Sequence, residues 1–328
     1  MATDFSEIGR QMPKCAICGN NENHTFLILR EMMFGFRDKF NYFKCGKCEC
    51  VQILDSNLDM AKYYPTKHYY SLYVKRTGDV KFFNNLFAKA TYLGRGITYR
   101  LARRAGVLDR PLVSIRRANI PKDAYILDVG SGSGSLLQKL SNLGFQNLIG
   151  IDPYIQTELY IKKTRILNID LQNLQSNLHF DCIMFHHSLE HMKDQLQALK
   201  LAKIHLAKEG VIIIRIPIVS YAFDKYGSNW YSLDSPRHIY INSLKSMKIL
   251  ASNAGLKMKS YYFDSGPEQF IFSESYASDI AISERPNEGF YRKIARNFLS
   301  PSYQKLRKES EKLNEIEKGD QAVFYLFA

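Results

Sequence analysis

The stretch Ile126-Leu127-Asp128-Val129-Gly130-Ser131-Gly132-Ser133-Gly134 decides how this chain is read. An apolar run ends in an acid, and three glycines follow at alternate positions. A helical pattern then begins at Leu136, Leu137 and Leu140. The order predicts a buried strand, a tight glycine turn and a helix N-terminus. Glycine has no Cβ, so a ligand can lie directly on the backbone N–H groups of such a turn. The spacing is D-x-G-x-G-x-G. A dinucleotide turn reads G-x-G-x-x-G, with its third glycine one position later, so this turn points away from NAD.

The segments C-terminal to the turn extend the pattern. Asn147 to Ile151 reads as a second buried strand ending at Asp152, 22 residues past Gly130. An acid at an offset of about 20 meets ribose hydroxyls in nucleotide-binding sheets. Ile166 to Asp170 ends in another acid, which suits either an adenine amino contact or a helix N-cap. Phe180–Phe185 and Val211–Ile216 read as further strands, with helical patterns at Leu136–Leu143 and Gln195–Leu206 between them. Alternating strands and helices with apolar runs predict a parallel sheet covered on both faces. Ligands bind at the carboxyl ends of such strands, where these acids fall. Lys257–Phe263 and the closing run Ala322–Phe327 supply two more strands, the last one antiparallel, after a mixed-charge helix at about 303–316. The glycine turn resembles motif I of the class I S-adenosylmethionine (SAM) methyltransferases. That resemblance implies a Rossmann-like, seven-stranded α/β sheet, in which Asp128, Gly130, Ser131, Gly132, Gly134, Asp152 and Asp170 face the cofactor.

Cysteine spacing gives a second signal. Cys15-x2-Cys18 and Cys45-x2-Cys48 are separated by 26 residues. Two such knuckles predict a tetrahedral zinc site with four thiolate ligands, structural because protein fills every position. Gly19 and Gly46 allow the turns. Cys50 is a spare thiol, Cys182 reads as core, and His24 reads as a turn or surface residue. The expected organisation is a zinc ribbon over 1–58, an aromatic and basic connector over 59–121, and the catalytic sheet over 122–328. The 328 residues are 45% hydrophobic and 23% charged, as in a soluble globular protein. No apolar run reaches the roughly 18 residues of a membrane span, and the start MATDFSEIGRQ has no signal-peptide core. The expected location is the cytoplasm.

The connector opens with Tyr63-Tyr64-Pro65 and His68-Tyr69-Tyr70. Tyr64 and Tyr70 suit either a wall for a polar substrate or packing at a domain junction. From Lys75 to Lys122 the chain carries twelve basic residues against Asp79 and Asp109, out of a net +13 overall. Phe82, Phe83, Leu86, Phe87, Tyr92 and Leu93 recur at helical spacing. The segment is a packed helix with a solvated basic face, or it docks on an anionic membrane or substrate. Nucleic acid is the third alternative.

The candidate chemistry lies in His186-His187-Ser188-Leu189-Glu190-His191, at a strand's carboxyl end. His186 is expected beside the cofactor. Histidine takes protons near neutral pH, so His191 with Glu190 and His187 suits acid–base work on an acceptor hydroxyl. His187 and His191 share a face on a helical turn. With Glu190, and with the distant His238, they also suit a divalent metal. The segment lacks the Asn/Asp-Pro-Pro-Tyr/Phe pattern of enzymes that methylate base amines. Further on, Trp230, Arg237 and His238 sit in a polar, aromatic loop after the fifth strand. That loop suits a lid, with Arg237 available to a phosphate or carboxylate or to an internal salt bridge.

The full order is CxxC…CxxC, Tyr-Tyr-Pro, DVGSGSG, GIDP, FHHSLEH, RIPI and W…D-x-P-R-H. It resembles bacterial class I methyltransferases with an N-terminal zinc-binding domain, among them sugar C- and O-methyltransferases of polysaccharide synthesis. The resemblance implies an active-site role for Glu190 and His191. A related E-x-x-E-H places a metal in ubiquinone-pathway and small-RNA methyltransferases; here His187 stands for the first glutamate. The expected activity is SAM-dependent transfer, at oxygen, to a glycan-related or lipid-linked small substrate. The alternatives are a zinc-ribbon RNA methyltransferase and an inactive scaffold that kept the fold.

Overall fold

The computed structural model describes residues 12–55, 58–64, 78–161, 164–286 and 290–328. Tyr70 and its neighbours lie outside them. The first unit is a three-stranded ribbon: β1 (Thr25–Arg30), β2 (Lys39–Lys44) and β3 (Val51–Ile53). Three helices follow: α1 (Gly78–Leu93), α2 (Ile97–Arg104) and α3 (Arg110–Arg117). The glycine turn then sits where the sequence predicts it, between β4 (Tyr125–Val129) and α4 (Ser135–Asn142). The sheet continues through β5 (Asn147–Ile151), β6 (Leu159–Ile161), β7 (Thr164–Leu167) and β8 (Phe180–His186). Next come α5 (Gln195–Ile204), β9 (Leu206–Pro217), α6 (Tyr221–Tyr226), β10 (Tyr240–Ile241) and α7 (Leu244–Asn253). The chain closes with β11 (Lys257–Phe263), α8 (Glu268–Ala277), α9 (Phe290–Leu299), α10 (Pro301–Glu315) and β12 (Gln321–Phe327).

The main sheet has the order β11-β12-β9-β8-β4-β5-β7-β6. It has eight strands, one more than the seven expected. The extra strand, β6, folds back antiparallel on β7 at the edge. Its sequence, Leu-Tyr-Ile, is too short to show a period. The five strands β7, β5, β4, β8 and β9 run parallel, and β12 is antiparallel to β9.

Side-chain alternation explains the burial. In β8, Ile183 and Phe185 face one layer of the core, while Cys182 and Met184 face the other. In β9, Ile212, Ile214 and Ile216 join the first layer, and Val211 and Ile213 the second. Successive residues of a strand point to opposite faces, so a continuous apolar run serves two layers at once. Helices α5 and α7 cover the first layer, and α3 and α4 the second. Burying a Leu or Ile side chain contributes about 1.5–3 kcal/mol, so these two layers supply most of the fold's driving force.

The ribbon is bound into this body. Its sheet takes a fourth strand from β10, with Tyr240 opposite Gln52 and Ile241 opposite Val51. Ser243 Oγ donates to the Cys48 carbonyl at 2.6 Å, and Asn253 Nδ2 donates to the Ile17 carbonyl at 3.3 Å. Cys15, Cys45 and Cys48 belong to the same buried cluster as Met247 and Leu250 of α7.

Candidate active site

The glycine turn is built by strain that only glycine relieves cheaply. Gly130, Gly132 and Gly134 have φ of 75°, 52° and 72°, in the region that L side chains avoid. A Cβ on Gly130 would stand 2.5 Å from Ser188 Cβ. Asp152, at the end of β5, ties the turn down. Its Oδ2 accepts from Gly132 N at 2.8 Å and its Oδ1 from Tyr154 N at 2.9 Å. Each oxygen keeps a second lone pair, so the residue expected on ribose hydroxyls also orders the turn beneath them. Asp128 is buried. Burial, reinforced by the nearby Asp152, pushes its carboxyl up to about 7. Ser131 Oγ is buried with no hydrogen-bond partner among the described residues. Both ring nitrogens of His186 are likewise buried and unpartnered, and burial beside Arg215 pulls that imidazole down to about 3. An open backbone cradle with orphaned polar atoms fits a polar cofactor such as SAM. Asp170 Oδ1 accepts from Asn173 N at 3.0 Å and caps a short helical turn, which leaves Oδ2 outside the cap.

The catalytic candidates follow directly after β8. Ser188 Oγ donates to the Val129 carbonyl at 2.6 Å, which pins this segment to the glycine turn. His187 has φ 54°, and its ring reaches Arg215 of the adjacent strand β9. Arg215 Nη1 donates to His187 Nε2, so His187 Nδ1 carries the proton and donates to Glu190 Oε1 at 3.1 Å. Arg215, buried in β9, also donates to Asp264 Oδ2 at 2.6 Å and to Gln321 Oε1. A hydrogen-bonded chain, part-exposed at His187, therefore runs Asp264–Arg215–His187–Glu190. Burial alone would raise the Glu190 carboxyl, but His187 and the neighbouring His191 and His238 outweigh it and hold it at about 2. Its Oε2 is buried and unpartnered among the described residues.

His191 and His238 meet across this carboxylate, with ring centroids 4.8 Å apart. His191 Nδ1 lies 2.9 Å from the Arg237 carbonyl, and His238 Nδ1 lies 2.8 Å from the Ser232 carbonyl. Carbonyls only accept, so both Nδ1 atoms are assigned protons, and His238 Nε2 faces Glu190 Oε1 at 4.0 Å and Asp234 Oδ2 at 3.8 Å. Burial, with His238 adding to it, lowers the His191 imidazole, which favours its neutral, proton-accepting form. Tyr64 OH stands 3.2 Å from His191 Nδ1, and burial keeps that hydroxyl protonated. The Tyr64 ring stacks on Tyr154 at 5.8 Å.

Some expected site residues are placed elsewhere. Ligand atoms of Glu190, His191 and His238 converge within 4.8 Å, so the set suited to a metal contains His238 in place of His187. His187 has already committed both ring nitrogens. Arg237 has no exposed surface. It pairs with Asp234 and with Glu31 Oε1 at 3.3 Å and lies over the Phe34 ring. Its charge is satisfied inside the protein instead of on a substrate. Trp230 is also fully buried, with Nε1 donating to Asp320 at 3.1 Å. The loop read as a lid is thus a packed element. Sequence reading missed Tyr154, Arg215 and Asp264. The acid at the start of GIDP flags Tyr154 only by proximity, and a lone arginine inside an apolar strand was the one sign of Arg215.

The four ribbon cysteines converge as the spacing predicts. Their sulfurs lie within 4.8 Å of one another, with Cys15–Cys48 at 3.5 Å and Cys18–Cys45 at 3.6 Å. A tetrahedral zinc with S ligands at about 2.3 Å needs sulfurs about 3.8 Å apart, so the set fits. His24 lies outside it: Nε2 meets the Pro13 carbonyl and Nδ1 accepts from Gly46 N. A Cβ on Gly46 would stand 2.2 Å from the Asn23 carbonyl oxygen, so the second knuckle requires glycine.

The sheet order, glycine turn and acid placement define a Rossmann-like methyltransferase fold. Residues 100–261, just under half of the chain, match the family model described as "Methyltransferase domain". Among curated proteins, it is similar to the tRNA U34 carboxymethyltransferase of Actinobacillus pleuropneumoniae serotype 3. The identity is 27% over 111 residues, covering 30% of this chain and 34% of that protein. The corresponding protein of Haemophilus ducreyi is 28% identical over the same coverage. The chain thus spans about a third of the length of these relatives. Among solved structures, coclaurine N-methyltransferase aligns with a TM-score of 0.43 and 13% identity, over 66% of this chain and 70% of that one. A SAM-dependent methyltransferase from Archaeoglobus fulgidus aligns with a TM-score of 0.40 and 18% identity, over 70% and 99%.

Proposed function

We propose that the protein is a SAM-dependent methyltransferase acting on a hydroxyl of a glycan-related or lipid-linked small acceptor. One observation carries this reading: His191, its Nδ1 held by the Arg237 carbonyl and its Nε2 without a hydrogen-bond partner among the described residues, sits next to Ser188, whose hydroxyl ties this segment to the glycine turn. SAM, when bound, supplies a methyl on a sulfonium. The backbone N–H groups of Gly130, Gly132 and Gly134 and the carboxylates of Asp128 and Asp152 would hold it. His191 Nε2 would accept the acceptor's hydroxyl proton as the oxygen takes the methyl, the sulfonium–methyl bond breaking to leave a neutral thioether. Glu190 stabilises the resulting imidazolium, and Tyr64 and Tyr154 wall the acceptor. The sugar-biosynthesis subtype rests on the motif order.

The test is incubation with methyl-labelled SAM and separated nucleotide sugars, lipid-linked glycans and RNA. Label should enter a glycan fraction, and His191→Ala should bind SAM yet transfer nothing. Full activity in that variant removes His191 from the mechanism. If Asp152→Ala binds SAM with unchanged affinity by calorimetry, the cofactor assignment fails.

Two further readings keep specific support. The convergence of Glu190, His191 and His238 suits a divalent cation, which would occupy His191 Nε2 and displace its role as base. Activity that Mg²⁺ or Mn²⁺ restores after chelation, with zinc retained, would favour that arrangement. The net charge of +13 and the tRNA-modifying relatives favour RNA as acceptor. Label entering the RNA fraction would select it.

A further inference from the structure

We propose that the outer face of α1 and α2, with the end of α9, docks on an anionic lipid surface. Ile97 is 72% exposed, Leu93 51%, Leu101 48% and Leu86 39%. Isolated exposed aliphatics are normal, but four within sixteen residues on two adjoining helices form a patch. On α2, Ile97, Arg100, Leu101 and Arg104 follow the i, i+3, i+4, i+7 spacing of one helical face, while Ala102 and Ala105 are buried. The Arg104 guanidinium lies over the Phe298 ring at 4.7 Å, which brings the 74%-exposed Leu299 to the same end of α2.

The charges that α1 and α2 themselves bring to this patch have one sign. Lys89, Arg95, Arg100, Arg103 and Arg104 are exposed, and residues 80–108 contain no Asp or Glu. Glu311 reaches Arg103 at 3.4 Å as an exposed pair, which contributes little. A nucleic acid rewards cations and aromatic stacking platforms. It gains nothing from exposed isoleucine and leucine. A bilayer surface uses both: aliphatic side chains enter the boundary between headgroups and acyl chains, and guanidinium groups meet lipid phosphates. Among the described residues no helix is long and apolar enough to cross a membrane, so the contact is with the surface. Docking there would bring the enzyme to a lipid-linked acceptor. Only that consequence rests on the proposed function; the docking stands on the surface chemistry.

The test is co-sedimentation of the full chain with phosphatidylcholine vesicles, with and without about one-third phosphatidylglycerol. The protein should partition onto the anionic vesicles only. Arg95→Gln with Arg100→Gln should lower partitioning about fivefold per charge. Ile97→Ser with Leu101→Ser should lower it at least about tenfold. These are exposed positions, and unchanged circular dichroism confirms that both variants fold. Equal binding to neutral vesicles, unchanged binding by the Ser variant, or displacement by tRNA at equal phosphate concentration each overturns the proposal. Methyl transfer plays no part in the readout. Loss of docking therefore leaves the enzymatic reading standing, and an inactive enzyme leaves the docking result intact.

Discussion

Replacing Arg237 by methionine tests whether this arginine serves the fold or the substrate. The guanidinium is wholly buried, donates to Asp234 and Glu31, and also reaches the Tyr63 carbonyl at 3.3 Å. Methionine keeps much of the stem's volume over Phe34, so the cavity left is small. Removing one partner of a buried ion pair costs about 3–5 kcal/mol, because the other charge stays buried. Two features pull this case to the lower end. Glu31 also accepts from the backbone N–H groups of Met33, Phe34 and Phe36 at 2.9–3.0 Å. The Asp234 side chain is 18% exposed, so water reaches it. We therefore expect a loss of about 3 kcal/mol. Trp230, the sole tryptophan, is buried in the same loop, and its fluorescence during urea unfolding reads that loop directly. Glu31→Gln with Arg237→Met should cost less than the sum of the two single changes. A loss below about 1 kcal/mol, joined to a raised acceptor KM with SAM affinity unchanged, would show that the arginine is spent on substrate and refute this account.

Three other outcomes are expected from the geometry. The chain should contain one zinc by elemental analysis, and Cys48→Ser should lose it; because Cys48 and β3 hold the segment bearing His238, that loss should also reduce turnover. Burial beside Asp152 raises the Asp128 carboxyl from 3.8 to about 7, so the folded state binds this proton more tightly than the unfolded one. The stability that this proton contributes is complete below about pH 4 and is lost as pH rises through about 7. Asp128→Asn should therefore match the wild type at about pH 4 in thermal melts and exceed it at about pH 8, and the reverse order would contradict the assignment. Arg215→Lys keeps the charge but loses the fork that joins Asp264, His187 and Gln321. We expect turnover to fall about tenfold with SAM affinity nearly unchanged and the pH profile shifted. Equal kinetics would limit Arg215 to packing.

Much of the scaffold was legible because its signals are local. The strand, turn and helix at 125–142 follow from an apolar run, three glycines and a helical repeat, all within one short segment. The runs at Phe180–His186 and Val211–Ile216 are apolar at nearly every position because both faces of a central parallel strand are buried. The thiolate cluster was legible too, since each CxxC turn presents two sulfurs and only the docking of the pairs is non-local. The edge strand β6 was not, because three residues show no period.

The sequence alone determined the central strands, the glycine turn and the donor set of the ribbon. Each of these is encoded by residues that are neighbours along the chain. Only the tertiary structure decided which side chains share the acceptor site. His238 meets Glu190 and His191 from 47 residues away, as measured from His191, and Arg237, its neighbour in sequence, turns into the core. Tyr64 reaches His191 from the connector, and Arg215 reaches His187 from the adjacent strand. Such convergence depends on strand order and on which way a packed loop turns its polar groups. Buried charges must find partners wherever the fold supplies them, and no local pattern records where that is.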